Sequence, residues 1–105
     1  MKMRNLLLET LDALQRAGYT GDDVQYVTDG EHEIKWSDFE MIAKGIDYDA
    51  GYGSTNVNTD LCVVGDEAEA WWLEREEYDG SEWWVFKKFP TQKHDGYDDP
   101  KLFWV

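Results

Sequence analysis

The side chains with chemical potential are one thiol, two imidazoles and a large excess of carboxylates, and their spacing argues against catalysis. Cys62 sits inside the apolar run Leu61-Cys62-Val63-Val64, away from any basic neighbour that would favour its thiolate, so it reads as packing. A single cysteine cannot close an internal disulfide, and a buried reduced thiol suits the cytoplasm. His32 and His94 are remote in sequence, and neither has a second histidine or a cysteine at zinc-ligand spacing. Asp47-x-Asp49-x-Gly51 matches only the opening of a calcium-binding loop: the next ligand position holds Gly51, and the twelfth holds Asn58 where a glutamate is needed. There is no Gly-x-Ser-x-Gly elbow, no phosphate-cradling glycine loop and no His-Glu-x-x-His. With 23 acidic residues some pair always falls at glycosidase distance, so such pairs single out nothing. The expectation is a protein that is not an enzyme, with no catalytic residue, metal or cofactor. A small metal-dependent enzyme ranks last among the readings.

The carboxylates matter as a field instead. The 105 residues carry a net charge of −13. Residues 22–49 hold nine acids against two bases, and residues 66–82 hold eight acids against Arg75 alone. Between them only Asp60 is charged, and both ends of the chain are close to neutral. A field of that sign repels nucleic acid and membrane surfaces and steers basic partners inward. Solubility asks for a net charge of only about 2–8 in a small domain, and self-repulsion costs stability, so the surplus calls for a use. Six Trp, six Tyr and four Phe separate the chain from acidic disordered sequences, which are poor in aromatics. No apolar run approaches the roughly 18 residues that a spanning helix needs. The apolar start Met1–Leu8 is broken by Glu9 and Asp12 and lacks a small-residue cleavage site, so it does not read as a leader. One compact domain over residues 1–105 is expected.

The elements that would position these groups follow from periodicity and turn chemistry. Met3, Leu7, Leu11 and Leu14 make a helical stripe over residues 3–17, ended by Gly18. Val24–Val27 and Glu33–Trp36 flank an Asp29-Gly30 turn and read as a hairpin. Ser37-Asp38-Phe39-Glu40 has the pattern of a capping box, which opens a short helix over about 38–44. Residues 47–59 read as a loop, 60–64 as a short central strand, and 69–77 with 82–89 as a long hairpin turning at Asp79-Gly80. The closing run Leu102-Phe103-Trp104-Val105 is expected to dock on the sheet. The order α-β-β-α-β-β-β indicates an α+β fold: a mainly antiparallel sheet of about five strands with two helices packed on it. Leu7, Leu11, Phe39, Ile42, Val63, Leu73 and Phe86 are the expected core.

A two-residue turn fixes the register of the last hairpin. It pairs Glu77 with Glu82, Arg75 with Trp84, Leu73 with Phe86 and Trp71 with Lys88. The alternate set is Glu76–Trp83, Glu74–Val85 and Trp72–Lys87, and side-chain alternation puts the two sets on opposite faces. Trp71, Leu73, Trp84 and Phe86 form the core side, with Arg75 able to lie over Trp84. Glu74 and Glu76, beside Trp72 and Trp83, look outward. Asp66, Glu67, Glu69, Trp72, Glu74, Glu76, Glu82 and Trp83 are therefore the candidate partner-binding residues. Alternate acids on a strand stand roughly 6.6 Å apart, so a row of them can imitate a line of phosphates to a protein built to grip DNA.

In small size, acidity, aromatic richness and lack of an enzyme motif, the chain resembles the anti-CRISPR and antirestriction proteins that bacteriophages use against host defence, several of which mimic DNA. That resemblance is one of type and carries no residue roles. It implies an inhibitor of a basic nucleic-acid-handling protein, such as a CRISPR surveillance complex or a nuclease, acting in the cytoplasm of a bacterial host. Neither direct nucleic-acid binding nor a membrane is expected, and the chain acts as a monomer or a dimer. The rival reading is an accessory interaction protein of a mobile element that uses Trp72 and Trp83 for assembly.

Overall fold

Asn5 decides where the first helix begins. Its backbone is extended (φ −97°, ψ 128°) and its side chain accepts the Leu8 N–H, which caps a helix, α1, over Leu6–Ala17. The same side chain donates to the Lys44 carbonyl and to Asp47, both at 2.9 Å. These bonds draw the residues before the helix into a strand: β1 (Met3–Asn5) pairs antiparallel with Asp47–Asp49. The expected helix thus starts three residues late, and part of the expected 47–59 loop is a strand. In this computed structural model the residues described are 3–49, 57–66 and 70–89.

After α1 come a 3-10 turn at Gly21–Asp23, β2 (Val24–Thr28), β3 (Glu33–Ile34), α2 (Trp36–Ala43), β4 (Asp47–Asp49), β5 (Cys62–Gly65), β6 (Trp71–Tyr78) and β7 (Ser81–Lys88). The predicted capping box at Ser37 does not form. Lys35 is the capping residue, it makes no side-chain cap bond, and Ser37 already lies within the helix. The reason is Trp36, whose ring meets Phe39 at 5.3 Å and whose indole lies on Gly21, where a Cβ would come within 2.3 Å of it. That anchorage starts the helix at the tryptophan. A true capping box stands instead at Thr20 and Asp23, opening the 3-10 turn.

The main sheet is antiparallel, in the order β3-β2-β5-β6-β7, with β5 central as expected. Every residue pair predicted for the last hairpin is observed. Asp79 and Gly80 both have positive φ, 52° and 85°, the geometry of the tight turn whose twist matches a hairpin. The protein is α+β, with both helices on one face of the five-stranded sheet. Between helices and sheet lie Leu6, Leu14, Phe39, Ala43, Val27, Val63, Trp71, Leu73 and Trp84, all nearly free of solvent. Trp71 crosses Gly65 so closely that a Cβ there would fall 1.9 Å from the indole, and it stacks on Tyr19 at 4.2 Å. Among the described residues no helix is long and apolar enough to cross a membrane.

Four of the expected core residues are misplaced. Phe39, Val63 and Leu73 are buried, but Leu11 and Phe86 are both 37% exposed, Ile42 is 58% exposed, and Leu7 only flanks the core. The buried stripe of α1 is Leu6, Thr10 and Leu14. It is rotated from the all-leucine stripe because Thr10 has a task there: its hydroxyl accepts the Trp84 indole N–H at 2.9 Å and donates to the Leu6 carbonyl at 2.7 Å. The Leu102–Val105 run lies outside the described residues. In a denaturant melt, Leu14→Ala should cost about 2–5 kcal/mol and Leu11→Ala under about 1 kcal/mol. Equal costs would refute the rotated stripe.

Candidate functional site

The outer face of the sheet, opposite the helices, is built from cross-strand rows. One row runs Tyr26, Val64, Trp72, Lys87; the next runs Glu33, Thr28, Cys62, Glu74, Val85; then come Glu76 beside Trp83 and, at the turn, Tyr78 beside Ser81. All of these side chains are half-buried or exposed. The register therefore brings Trp72, Glu74, Glu76 and Trp83 together on one presented surface, as expected. Trp72 donates its indole N–H to Glu74 at 2.8 Å, and its ring meets Phe89 at 5.1 Å. Lys87 reaches Glu74 at 4.0 Å, a partly solvated pair of little energetic weight. Glu76 stands exposed next to it, and Glu77, Tyr78 and Asp79 extend the exposed acidic margin toward the hairpin turn.

Asp66 is exposed at the end of β5 and its carbonyl accepts the Ala70 N–H. Glu67 and Glu69 lie outside the described residues. Glu82 corrects the sequence reading: it is 3% exposed and faces inward. The predicted pairing of Glu82 with Glu77 already put it on the Arg75 side of the hairpin, and that parity outranks its charge.

What receives Glu82 is a buried polar cluster that the sequence did not reveal. The Arg75 guanidinium binds Glu9 at 2.7 Å, Glu82 at 3.1 Å and the Tyr48 hydroxyl at 3.0 Å, with the side chains of Arg75 and Glu82 each only 2% exposed. The Tyr48 hydroxyl donates to Glu9, and Glu82 also accepts the Val57 N–H at 3.0 Å. Arg4 approaches Glu9 at 3.9 Å and offsets the second carboxylate. The guanidinium lies 4.8 Å above the Trp84 ring, the stacking anticipated from the register. Burial, then the bond to Glu9, push the Tyr48 phenol up to about 12. Burial pulls Arg75 down, but its bonds to Tyr48 and Glu9 outweigh this and leave it above the usual arginine value. Both carboxylates here, Glu9 and Glu82, are occupied by donors and shielded from solvent, so the cluster locks elements together. Of its members only Arg75 over Trp84 was legible in the sequence, because Glu9 and Tyr48 arrive from distant segments.

The remaining chemical candidates resolve into local roles. Cys62 is a half-buried free thiol on the outer face, and burial with Glu74 and Asp60 nearby raises its pKa, which disfavours the reactive thiolate. Asp47 takes the Asn5 amide, so it serves the β1–β4 junction. Asp29 accepts the Glu31 and His32 N–H groups in its turn and is lowered to about 2, chiefly by those two bonds. Among the described residues no three His, Cys, Asp or Glu side chains gather as metal ligands.

Comparison with protein families, with curated proteins and with solved structures finds no match for this chain.

Two outcomes test these roles. Glu82→Ala leaves Arg75 buried with one carboxylate fewer and should cost about 3–5 kcal/mol, whereas Glu76→Ala should stay within about 0.5 kcal/mol. Equal effects in urea melts would return Glu82 to the surface. Because the folded Tyr48 pKa lies above the unfolded value, its contribution is complete below about pH 10 and is lost as pH rises through about 12. Tyr48→Phe should therefore flatten the fall in stability over that window, followed by tyrosinate absorbance and circular dichroism. An unchanged alkaline profile would show that Tyr48 titrates as an exposed phenol.

Proposed function

We propose that the chain is an acidic binding protein that occludes a basic nucleic-acid-handling protein through the outer face of its sheet. One observation carries this reading: Glu74 and Glu76 project from the long β6–β7 hairpin beside the half-buried indoles of Trp72 and Trp83, on the side the helices leave uncovered. A pre-ordered strand loses little conformational entropy when a partner lands on it. Carboxylates spaced roughly 6.6 Å apart on that strand offer acceptors to Arg and Lys that would otherwise grip phosphates. The net charge of −13 adds long-range steering toward such a partner. Resemblance in type to phage anti-defence proteins supports the choice of target class: a CRISPR surveillance complex, a restriction enzyme or another nuclease in a bacterial host.

Glu74→Lys/Glu76→Lys should weaken partner binding at least tenfold, about 1.4 kcal/mol, because attraction to basic groups becomes repulsion. Asp22→Lys/Glu31→Lys, at exposed sites off this face, is the control for net charge and should matter less. The partner is first captured from bacterial lysate on the immobilised protein and identified by mass, then titrated calorimetrically at two salt concentrations. Affinity that is indifferent to both the reversal and the salt would defeat the mimicry and favour an aromatic assembly surface.

A further inference from the structure

The two edges of the main sheet are unlike. β3 ends one side with only two residues, Glu33 and Ile34, too short to template another strand. β7 ends the other with eight residues, Ser81–Lys88, without proline or bulge, and among the described residues no strand pairs with its far side. The direction of its backbone groups can be assigned. The Phe89 N–H bonds back to the Ala70 carbonyl at 3.1 Å, and every second residue before it shares that orientation toward β6. Glu82, Trp84, Phe86 and Lys88 therefore direct their N–H and C=O groups away from β6, toward the edge that no strand occupies among the described residues. These four are symmetric about Val85.

We infer that β7 is a self-association edge, at which a second copy of this chain adds its own β7 antiparallel, with the two-fold axis passing between the two Val85 residues. Only this register mates all four outward-facing residues with one another: Glu82 with Lys88 of the second copy, and Trp84 with its Phe86. It also keeps the helices of both copies on the same side of one continuous sheet, because residues of like parity meet. Charge selects the orientation. The turn end of the hairpin is acidic, with Glu77 and Asp79 exposed, and the far end of β7 carries exposed Lys87 and Lys88. Antiparallel pairing brings the lysine end of each copy to the acidic end of the other. Lys88 of the second copy enters the row of Glu82 and Glu77, and its Lys87 falls opposite Trp83, in the row that begins with Glu76. The edge strand itself, with one acid and two lysines, lacks the negative excess that keeps the rest of the chain apart. This inference goes beyond the proposed function and does not depend on the identity of the basic partner.

The chain of residues 1–105 should move from monomer to dimer across a concentration series in sedimentation velocity, and stop there. In a Cys62→Ser background, Val85→Cys should yield one disulfide-linked dimer on mild oxidation. Residues facing across a non-hydrogen-bonded antiparallel site have Cα atoms about 4.5 Å apart, within the roughly 4.4–6.8 Å a disulfide accepts. Trp83→Cys in the same background should not cross-link. Val85→Glu, on the outer face, sets two carboxylates against each other and should weaken the dimer at least tenfold with an unchanged circular dichroism spectrum. If that variant fails to fold, the cysteine pair decides. Amide exchange at Trp84 and Phe86 should slow as concentration rises. A chain that stays monomeric, cross-linking at Trp83 and not at Val85, or equal amide protection in the monomer (the edge then being covered by the chain itself) would each overturn the inference.

Discussion

The fold is organised around one buried cation. Arg75 sits mid-strand in β6, and its guanidinium reaches Glu9 on α1, Tyr48 on β4 and Glu82 on β7, while its flat face rests on Trp84. A lone charge in that position would be prohibitively costly, so each partner is an obligation as well as a contact. Meeting the obligation fixes the height of α1 over the hairpin, brings the small β1–β4 ribbon against the same region, and ties Val57 to β7 through Glu82. Thr10 then completes the docking by taking the Trp84 indole N–H. The interior contact between helix and sheet is therefore polar in part, and its geometry is more specific than leucines alone would enforce.

That polar interior also explains where the sequence was legible and where it was not. The residue pairing of the β6–β7 hairpin could be read in full because a two-residue Asp-Gly turn fixes register, and register fixes faces. The same logic held Trp71, Leu73 and Trp84 inside and Glu74 and Glu76 outside. It failed where charge was allowed to override parity, at Glu82, and where apolar residues were assumed to outrank a threonine, at Thr10. Leu7 and Leu11 make the better-looking stripe, but the helix turns toward the hydrogen bond that Thr10 accepts from the buried Trp84 indole. Asn5 and Asp47 lie too far apart in sequence for local pattern to show that one side chain both caps α1 and fastens β4. Ser37 offered a local cap, and Trp36 packing on Gly21 prevailed over it. The expectations that succeeded rest on neighbours in sequence, and those that failed were decided by contacts between remote segments.

The acids of this chain divide accordingly into two populations. Glu9 and Glu82 are consumed by Arg75, Asp23 and Asp29 by backbone N–H groups in turns, and Asp47 by Asn5. Glu74 is partly held by Trp72 and Lys87, while Glu76, Glu77 and Asp79 remain at the surface around the hairpin turn. Net charge alone does not distinguish these groups. The presented surface is smaller than composition suggests, and it is concentrated on the hairpin formed by the two longest described strands.

The strand order has a consequence for how the chain must be assembled in time. β5, β6 and β7 follow one another as a meander, whereas β2 waits for β5 across more than thirty residues, and α1 waits for Trp84 across seventy-four. Closing those distant contacts is entropically unfavourable until the meander exists to receive them. During synthesis Leu14 and Val27 emerge early, yet the surfaces that bury them, Leu73 and Trp84 among them, are the last third of the chain. An incomplete nascent chain thus carries its apolar helix face and the inner face of β2 uncovered until the hairpin leaves the ribosome.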